Sequence, residues 1–432
     1  MNELNQDVEM KDVSKEKKEE ENKPKELPEV YKDFIKAIEL IEKSVVLKDM
    51  KSLAMSYRLV NKFRKEFKPQ DFIYLYNIYI RNKFDFPSFS SQPFNPTDKR
   101  EFEIEQTLYN KTKNIPEITG YISLILITNL IDDGLYEEVE KGVQFLISFL
   151  KQNDNLTTQP LKAKAYYYLS LIAERLNKSE QIIKELHDAY RTSCIQLDQI
   201  GQVTLINCII RYYLNNNAIE LARGFLSKIK FHENVSVNED ARYLYYIGRI
   251  EAIQMNYSDA YSHLTNSYRK SPEKCGEGFK NTVNKLVIIV QLLMGEIPEV
   301  GSILNENQMR DFISFKPYLA LVKAVKQGNL DEYRQAVNEF KEAFIIDGNY
   351  TLVQRIRHVV IKAGLRKINL SYSRISIKDI TEKLKLESEK ETEYIIAKAI
   401  RDGVFLATIN HKEGYVQSKE IQDIYSMIQK FL

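Results

Sequence analysis

The sequence predicts a mostly α protein: a solenoid of stacked helix pairs that ends in a small module carrying two short strands. Three observations carry that expectation. The chain of 432 residues holds only 15 Gly and 11 Pro against 27 Tyr and 20 Phe, so helix breakers are scarce and large side chains abundant. A polar turn followed by apolar residues three apart recurs at intervals near forty residues. Residues 371–418 read as helix, turn, helix, strand, turn, strand.

Taken in order, residues 1–29 are almost free of large apolar side chains and mix charges, as in Lys15-Glu16-Lys17-Lys18-Glu19-Glu20-Glu21. Such a segment buries too little surface to offset its ordering entropy, and a disordered tail is expected. Residues 30–116 form an N-terminal helical region with apolar faces at Phe34, Ile35, Ile38 and Ile41 and then at Leu53, Tyr57, Val60 and Phe63. Its stretch 84–97, FDFPSFSSQPFNPT, is rich in proline and phenylalanine and reads as a structured connection.

The repeat occupies residues 117–345. Its instances are Gly134-Leu135-Tyr136 with Val139, Lys178-Ser179 with Ile182, and Asn217-Ala218 with Leu221. Asn256-Tyr257 with Ala260, Glu296-Ile297 with Val300, and Asn329-Leu330 with Tyr333 follow. From Tyr136 through Ser179, Ala218, Tyr257 and Ile297 to Leu330 the steps are 43, 39, 39, 40 and 33 residues. That is the length of two antiparallel helices with their turns, as in tetratricopeptide-type repeats. One pair cannot bury its apolar face alone, so neighbours stack. An irregular bundle with coincidental spacing is the alternative.

Residues 346–418 make the C-terminal module. An amphipathic helix through Leu352, Ile356, Val359, Val360 and Ala363 carries Arg355, Arg357, Lys362 and Arg366 on its other sides. A short helix then buries Ile377, Ile380 and Leu384. Ser388 opens another, with Glu391 completing an S-x-x-E capping box, and its core face is Ile395, Ile396, Ala399 and Ile400. Gly403 closes it in a left-handed conformation. Phe405–Ile409 and Tyr415–Gln417 are strand formers separated by the turn His411-Lys412-Glu413-Gly414. This order is that of a winged helix. Residues 419–432 are expected to form a last helix, Ile421–Phe431.

The inventory for chemistry is thin, and neither an enzyme nor a cofactor is expected. None of the five histidines (His187, His232, His263, His358, His411) stands at metal-ligand spacing from another His or Cys. No P-loop, H-E-x-x-H or G-x-S-x-G motif occurs. Gly276-Glu277-Gly278 with Lys280 lacks the third glycine of a phosphate loop and reads as an inter-helix turn. Cys194, Cys208 and Cys275 read as small apolar residues of a reducing compartment. No apolar run reaches the roughly 18–20 residues that cross a bilayer, and the opening MNELNQDVEMKD has no signal-peptide pattern. The expected location is cytoplasm and nucleus, without membrane contact.

A winged helix reads nucleic acid or docks on protein. Net charge is only +2, and the leading turn of the second helix, Ser388-Glu389-Lys390-Glu391-Thr392-Glu393, sets three carboxylates where phosphates would lie. Nucleic acid is therefore not the expected partner. Docking is favoured: Phe405, Leu406, Ala407, Thr408 and Ile409, with Tyr415 and Val416, form an apolar wing whose edge can accept a partner's strand. The competing possibility is that these side chains pack inward on the module's own helices.

The stretches ARYLYYIGRIEAIQMNYSDA (241–260), VNKLVIIVQLLMGEIPEV (283–300), DGNYTLVQRIRHVVIKAGLRKINLSYSRISIKDI (347–380), YIIAKAIRDGV (394–404) and INHKEGYVQSKEIQDIYS (409–426) resemble the PCI proteins, above all those of the proteasome lid. The resemblance is strong over 240–426 and runs back to about 100. It implies a non-catalytic scaffold of the regulatory particle, active in ubiquitin-dependent proteolysis. Its winged helix would pack beside those of other PCI-containing subunits, while ATPase ring and deubiquitinase are reached indirectly. A signalosome subunit is the alternative within the same group. The chain departs from the family's pattern at its end, where only Met427–Leu432 follow Tyr425-Ser426, so a role in a bundle of C-terminal helices is not carried over.

Overall fold

Left-handed turns set the rhythm of this molecule, seen here as a computed structural model. The structure describes residues 29–67, 72–73, 75–77, 87, 115–272, 277–298, 312–386 and 388–418. The tail 1–28, most of the 84–97 connection and the expected helix 421–431 lie outside them. The chain divides into two compact units, residues 1–209 and 210–432.

The first unit contains α1 (Glu29–Leu47), α2 (Met50–Glu66), α3 (Pro116–Asp132), α4 (Tyr136–Gln152), α5 (Gln159–Arg175) and α6 (Ser179–Ile195). The unit boundary falls inside α7 (Gln199–Asn215). The second unit continues with α8 (Ile219–Leu226), α9 (Val237–Ile253), α10 (Tyr257–Lys270), α11 (Glu277–Met294), α12 (Phe312–Gln327), α13 (Leu330–Glu339), α14 (Lys341–Ile346) and α15 (Tyr350–Ser371). It ends in β1 (Arg374–Ser376), α16 (Ile377–Leu384), α17 (Glu389–Arg401), β2 (Ala407–Asn410) and β3 (Tyr415–Ser418). Glu277–Lys280, expected as a turn, is the first turn of α11.

The repeat has a physical basis in how its helices stop. Gly134, Asn177, Asn217, Met255 and Gly328 take φ of +78°, +56°, +54°, +73° and +68°, and each stands two residues before a new helix. Gly and Asn tolerate this region best. One residue further on, an N–H reaches back to the preceding helix: Leu135 to Leu130, Lys178 to Ala173, Ala218 to Tyr213, Asn256 to Glu251 and Asn329 to Ala324, at 2.9–3.3 Å. These bonds satisfy carbonyls that the helix end would otherwise leave unpaired.

The fourth residue of each new helix is the apolar anchor. Val139, Ile182, Ala260 and Tyr333 are buried as expected. Leu221 is not: it is 62% exposed, and Ala222 is buried in its place. Asn217 holds the left-handed position, so α8 begins at Ile219 rather than Ala218 and its inward face shifts by one residue. The 296–300 repeat runs out of the described residues at Val300.

In the first unit Phe34, Ile38 and Ile41 of α1 face Val60 and Phe63 of α2, all buried, and the Tyr121 hydroxyl of α3 donates to the Ser56 carbonyl at 2.8 Å. Lys164 of α5 lies with Nζ 4.4 Å from the Tyr57 ring centre. Burial brings its pKa down to about 8.

In the second unit one apolar core runs from Tyr245 of α9 to Val416 of β3 without a break. Its spine is α15, which buries Leu352, Val353, Ile356, Val360, Ile361, Gly364 and Leu365. Val359 packs against this core half-buried. Where α15 crosses the turn before α13, two glycines meet. A methyl group on Gly328 would lie 2.6 Å from the Gly364 Cα. One on Gly364 would lie 2.9 Å from the Gly328 carbonyl oxygen and 2.6 Å from Leu384 Cδ2 of α16. No side chain fits between these backbones.

Two outcomes follow from this packing. Gly364→Ala should cost about 1–3 kcal/mol in urea unfolding, the usual range for overpacking, whereas a loss below about 0.5 kcal/mol would place the two backbones farther apart. Lys164→Met should be more stable than the wild type at pH 7, because burial disfavours the ammonium. Between pH 8 and the unfolded value near 10.4, the unfolded wild type binds more protons than the folded one, so wild-type stability rises with pH. The advantage of Lys164→Met should therefore shrink across that window; a constant advantage would contradict the account.

Candidate interaction surface on the winged helix

The module is assembled around α16 and α17. Ser376 caps α16, its hydroxyl accepting from the Asp379 N–H at 3.1 Å. The helix stops at Lys385, which takes φ +51°, and the Leu386 N–H bonds to the Thr381 carbonyl at 3.0 Å. Ser388 caps α17 without a side-chain hydrogen bond, so the expected capping box does not form. Glu391 turns instead toward Arg357 of α15, 3.9 Å away. The Thr392 hydroxyl, fully buried, donates to the Ser388 carbonyl and lies 2.9 Å from the Thr381 hydroxyl, joining the two helices. Gly403 ends α17 with φ +70°.

The sheet has three strands where two were expected, in the order β1-β3-β2, all antiparallel. Arg374-Ile375-Ser376 is too short to show alternation in sequence. It becomes a strand because β3 offers it a ladder, extended by the Ser418 N–H to the Ser373 carbonyl and the Ile377 N–H to the Gly414 carbonyl, each 2.9 Å. Strand β2 starts at Ala407, two residues later than Phe405, and Gly414 with φ +65° closes the hairpin turn.

Register sorts the wing residues. Ile375, Val416 and Ile409 stand side by side across the sheet and face the core. Ala407 is buried on the same face, and Phe405 packs half-buried against the core. Arg374, Gln417 and Thr408 form the exposed row of the other face. Tyr415 lies on that outer face beneath Arg374, whose guanidinium carbon is 3.6 Å from its ring centre. Leu406 is 50% exposed.

Tyr415 and Val416 belong to β3, the central strand, whose two edges are both used. They cannot offer a free edge, contrary to their place in the expected wing surface. What remains is the outer side of β2, with no strand beside it among the described residues, flanked by Leu406 and Thr408. Of the core set read from sequence, Ile377, Ile380, Leu384, Ile396 and Ala399 are buried, and Ile395 and Ile400 pack half-buried against the same core.

Arg355, Arg357 and Lys362 of α15 are engaged within the fold, whereas Arg366 and Lys367 are exposed. Arg355 Nη1 donates to the Ala252 and Ile253 carbonyls at 3.3 and 2.9 Å, satisfying the C-terminal turn of α9. Lys362 pairs with Asp402 at 3.0 Å and holds that carboxyl below its ordinary value. Among the described residues no cluster of three or more His, Cys, Asp or Glu side chains is arranged to hold a metal ion, and no described helix is long and apolar enough to cross a membrane.

Two family models match the chain: "PSMD3-like, N-terminal TPR repeats" over residues 25–322 and "PCI domain" over 337–420. A Dictyostelium discoideum protein named 26S proteasome non-ATPase regulatory subunit 3 is 38% identical over 92% of this chain and 80% of its own length. An Anopheles gambiae protein named probable 26S proteasome non-ATPase regulatory subunit 3 is 40% identical over 77% of this chain and 66% of its own length. A Schizosaccharomyces pombe protein named probable 26S proteasome regulatory subunit rpn3 is 39% identical over 73% of this chain, and the match spans 63% of that protein. With its repeats, its winged helix and these relatives taken together, the chain belongs to the family of 26S proteasome non-ATPase regulatory subunit 3.

Proposed function

We propose that this protein is a non-catalytic scaffold subunit of the 26S proteasome regulatory-particle lid, acting in ubiquitin-dependent protein degradation in cytoplasm and nucleus. Its partners are other PCI-containing lid subunits, which it meets through the winged helix; the ATPase ring and the deubiquitinase are reached only through them. Division of labour follows the chain: residues 30–116 are an N-terminal helical region, 117–345 the helical-repeat arm and 346–418 the docking module, with the segments 1–29 and 419–432 flanking them. The relatives' shared name, a non-ATPase regulatory subunit, supports the non-catalytic reading.

The observation that carries the docking role is the outer side of β2, beside which no strand lies among the described residues. A strand edge exposes N–H and C=O groups in a row, and addition of a partner's strand or loop satisfies them. Leu406 and Thr408 point away from the core there, whereas Ile409 points into it.

The two positions should therefore behave differently. Leu406→Asp should keep the wild-type far-UV circular dichroism and urea midpoint yet fail to co-purify with proteasome ATPases from cells expressing the tagged chain. Ile409→Asp should lose stability by about 1–3 kcal/mol through an unpaired carboxylate against the core. Normal incorporation of Leu406→Asp would show that this edge is not the contact. Co-purification of the wild-type chain with signalosome subunits in place of proteasome ATPases would move it to the other assembly.

A further inference from the structure

The solvent face of α17 has a chemistry that the wing does not share. Lys390, Tyr394, Ala397, Lys398 and Arg401 stand at helical spacing and are all exposed, forming a ridge of roughly 16 Å at 1.5 Å per residue. Tyr394, at its middle, is 70% exposed. Among the described residues Lys390 and Lys398 have no ion-pair partner, and Arg401 meets only its exposed neighbour Asp402, at 3.4 Å.

The carboxylates on either side are drawn to other bases. Glu391 faces Arg357 at 3.9 Å, Glu393 faces His411 Nδ1 at 2.7 Å, and Asp402 faces Lys362 at 3.0 Å. Lys390 and Lys398 thus have no ion-pair partner among the described residues, while Glu391 and Asp402 are partly offset by Arg357 and Lys362. His358 of α15 registers the same field: burial lowers its pKa, and Lys398, Arg357 and Lys362 lower it further.

We propose that this ridge docks an acidic amphipathic helix of another protein. A helix matches a stripe of this spacing, because carboxylates at i, i+3 and i+11 of an antiparallel partner meet Arg401, Lys398 and Lys390 in turn. Tyr394 beside the small Ala397 supplies the apolar centre, and the charges form the rim, the arrangement found at energetic centres of protein interfaces. A polyphosphate fits less well. Glu389, Glu391, Glu393 and Asp402 lie within one turn of the ridge and repel a continuous line of negative charge, whereas a protein helix can set its own Lys or Arg opposite them.

The test uses the full chain and a fluorescein-labelled helical peptide with glutamates at i, i+3 and i+11 around a leucine stripe, read by anisotropy. A peptide of the same composition in scrambled order and a DNA duplex are measured beside it. The designed helix should bind saturably, more tightly than either comparison. Lys398→Glu with Arg401→Glu should weaken it roughly tenfold or more, and Tyr394→Ala should weaken it too, with circular dichroism unchanged. Leu406→Asp should leave it untouched, which separates this surface from the β2 edge. Absent binding, equal binding of the scrambled peptide, or indifference to charge reversal would each overturn the proposal. Tighter binding of the duplex with a steep salt dependence would replace it by nucleic-acid recognition.

Discussion

The backbone-to-backbone approach of Gly328 and Gly364 is the constraint on which the second unit depends. It lets α15 lie against the turn that opens α13 with no side chain between them. From that contact α15 buries one stretch of its length among α11–α14 and another against α16. Leu384 then packs directly over Gly364. The winged helix is thereby continuous with the helices before it, in a single core that ends at Val416. Core packing of this density has little room to tilt, so the sheet is presented at a fixed angle to α15.

Electrostatics completes the placement. Arg355 ties α15 to the end of α9, Lys285 pairs with Asp347 at 2.9 Å beside the α14–α15 turn, and Lys362 and Arg357 reach α17 and its C-terminal turn. Arg355 and Lys285 are well enclosed and each satisfies an acceptor at a helix end. The exposed pairs contribute less to stability, because solvent screens them, and matter more for which surfaces stay charged. They engage Arg357 and Lys362 of α15, whereas Arg366 and Lys367 stay exposed, and Lys390 and Lys398 of α17 have no ion-pair partner among the described residues. The wing and the ridge are consequently two chemically distinct faces, one offering backbone groups, the other charge around a tyrosine.

Much of this was legible in the sequence. The polar turns every forty residues located the starts of α4, α6, α10 and α13, because each helix stops at a left-handed residue, Gly or Asn in all but Met255 before α10, that a polar turn accommodates. At α8 the reading slipped by one residue, since Asn217 rather than Ala218 marks the stop and only backbone geometry distinguishes them. The helices of the winged module were visible as apolar stripes, and Gly403 and Gly414 marked its turns. Strand β1 was not visible: three residues carry no periodic signal, and their conformation is imposed by β3. The capping box does not form: the Ser388 side chain makes no cap bond, and Glu391 lies 3.9 Å from Arg357 of α15. The interface set was the least legible part. Composition showed an apolar wing but could not tell which strand is central, and that order decides which residues have a free edge.

Native-state hydrogen exchange measures directly whether the winged helix and the preceding helices are one cooperative body. If they share one core, the slowest amides of β3, α15 and α11 should open with the same free energy and the same denaturant dependence, that of global unfolding. If β3 and α17 instead exchange through a separate opening at markedly lower free energy while α11 stays protected, the module is an independent appendage and the structural argument fails.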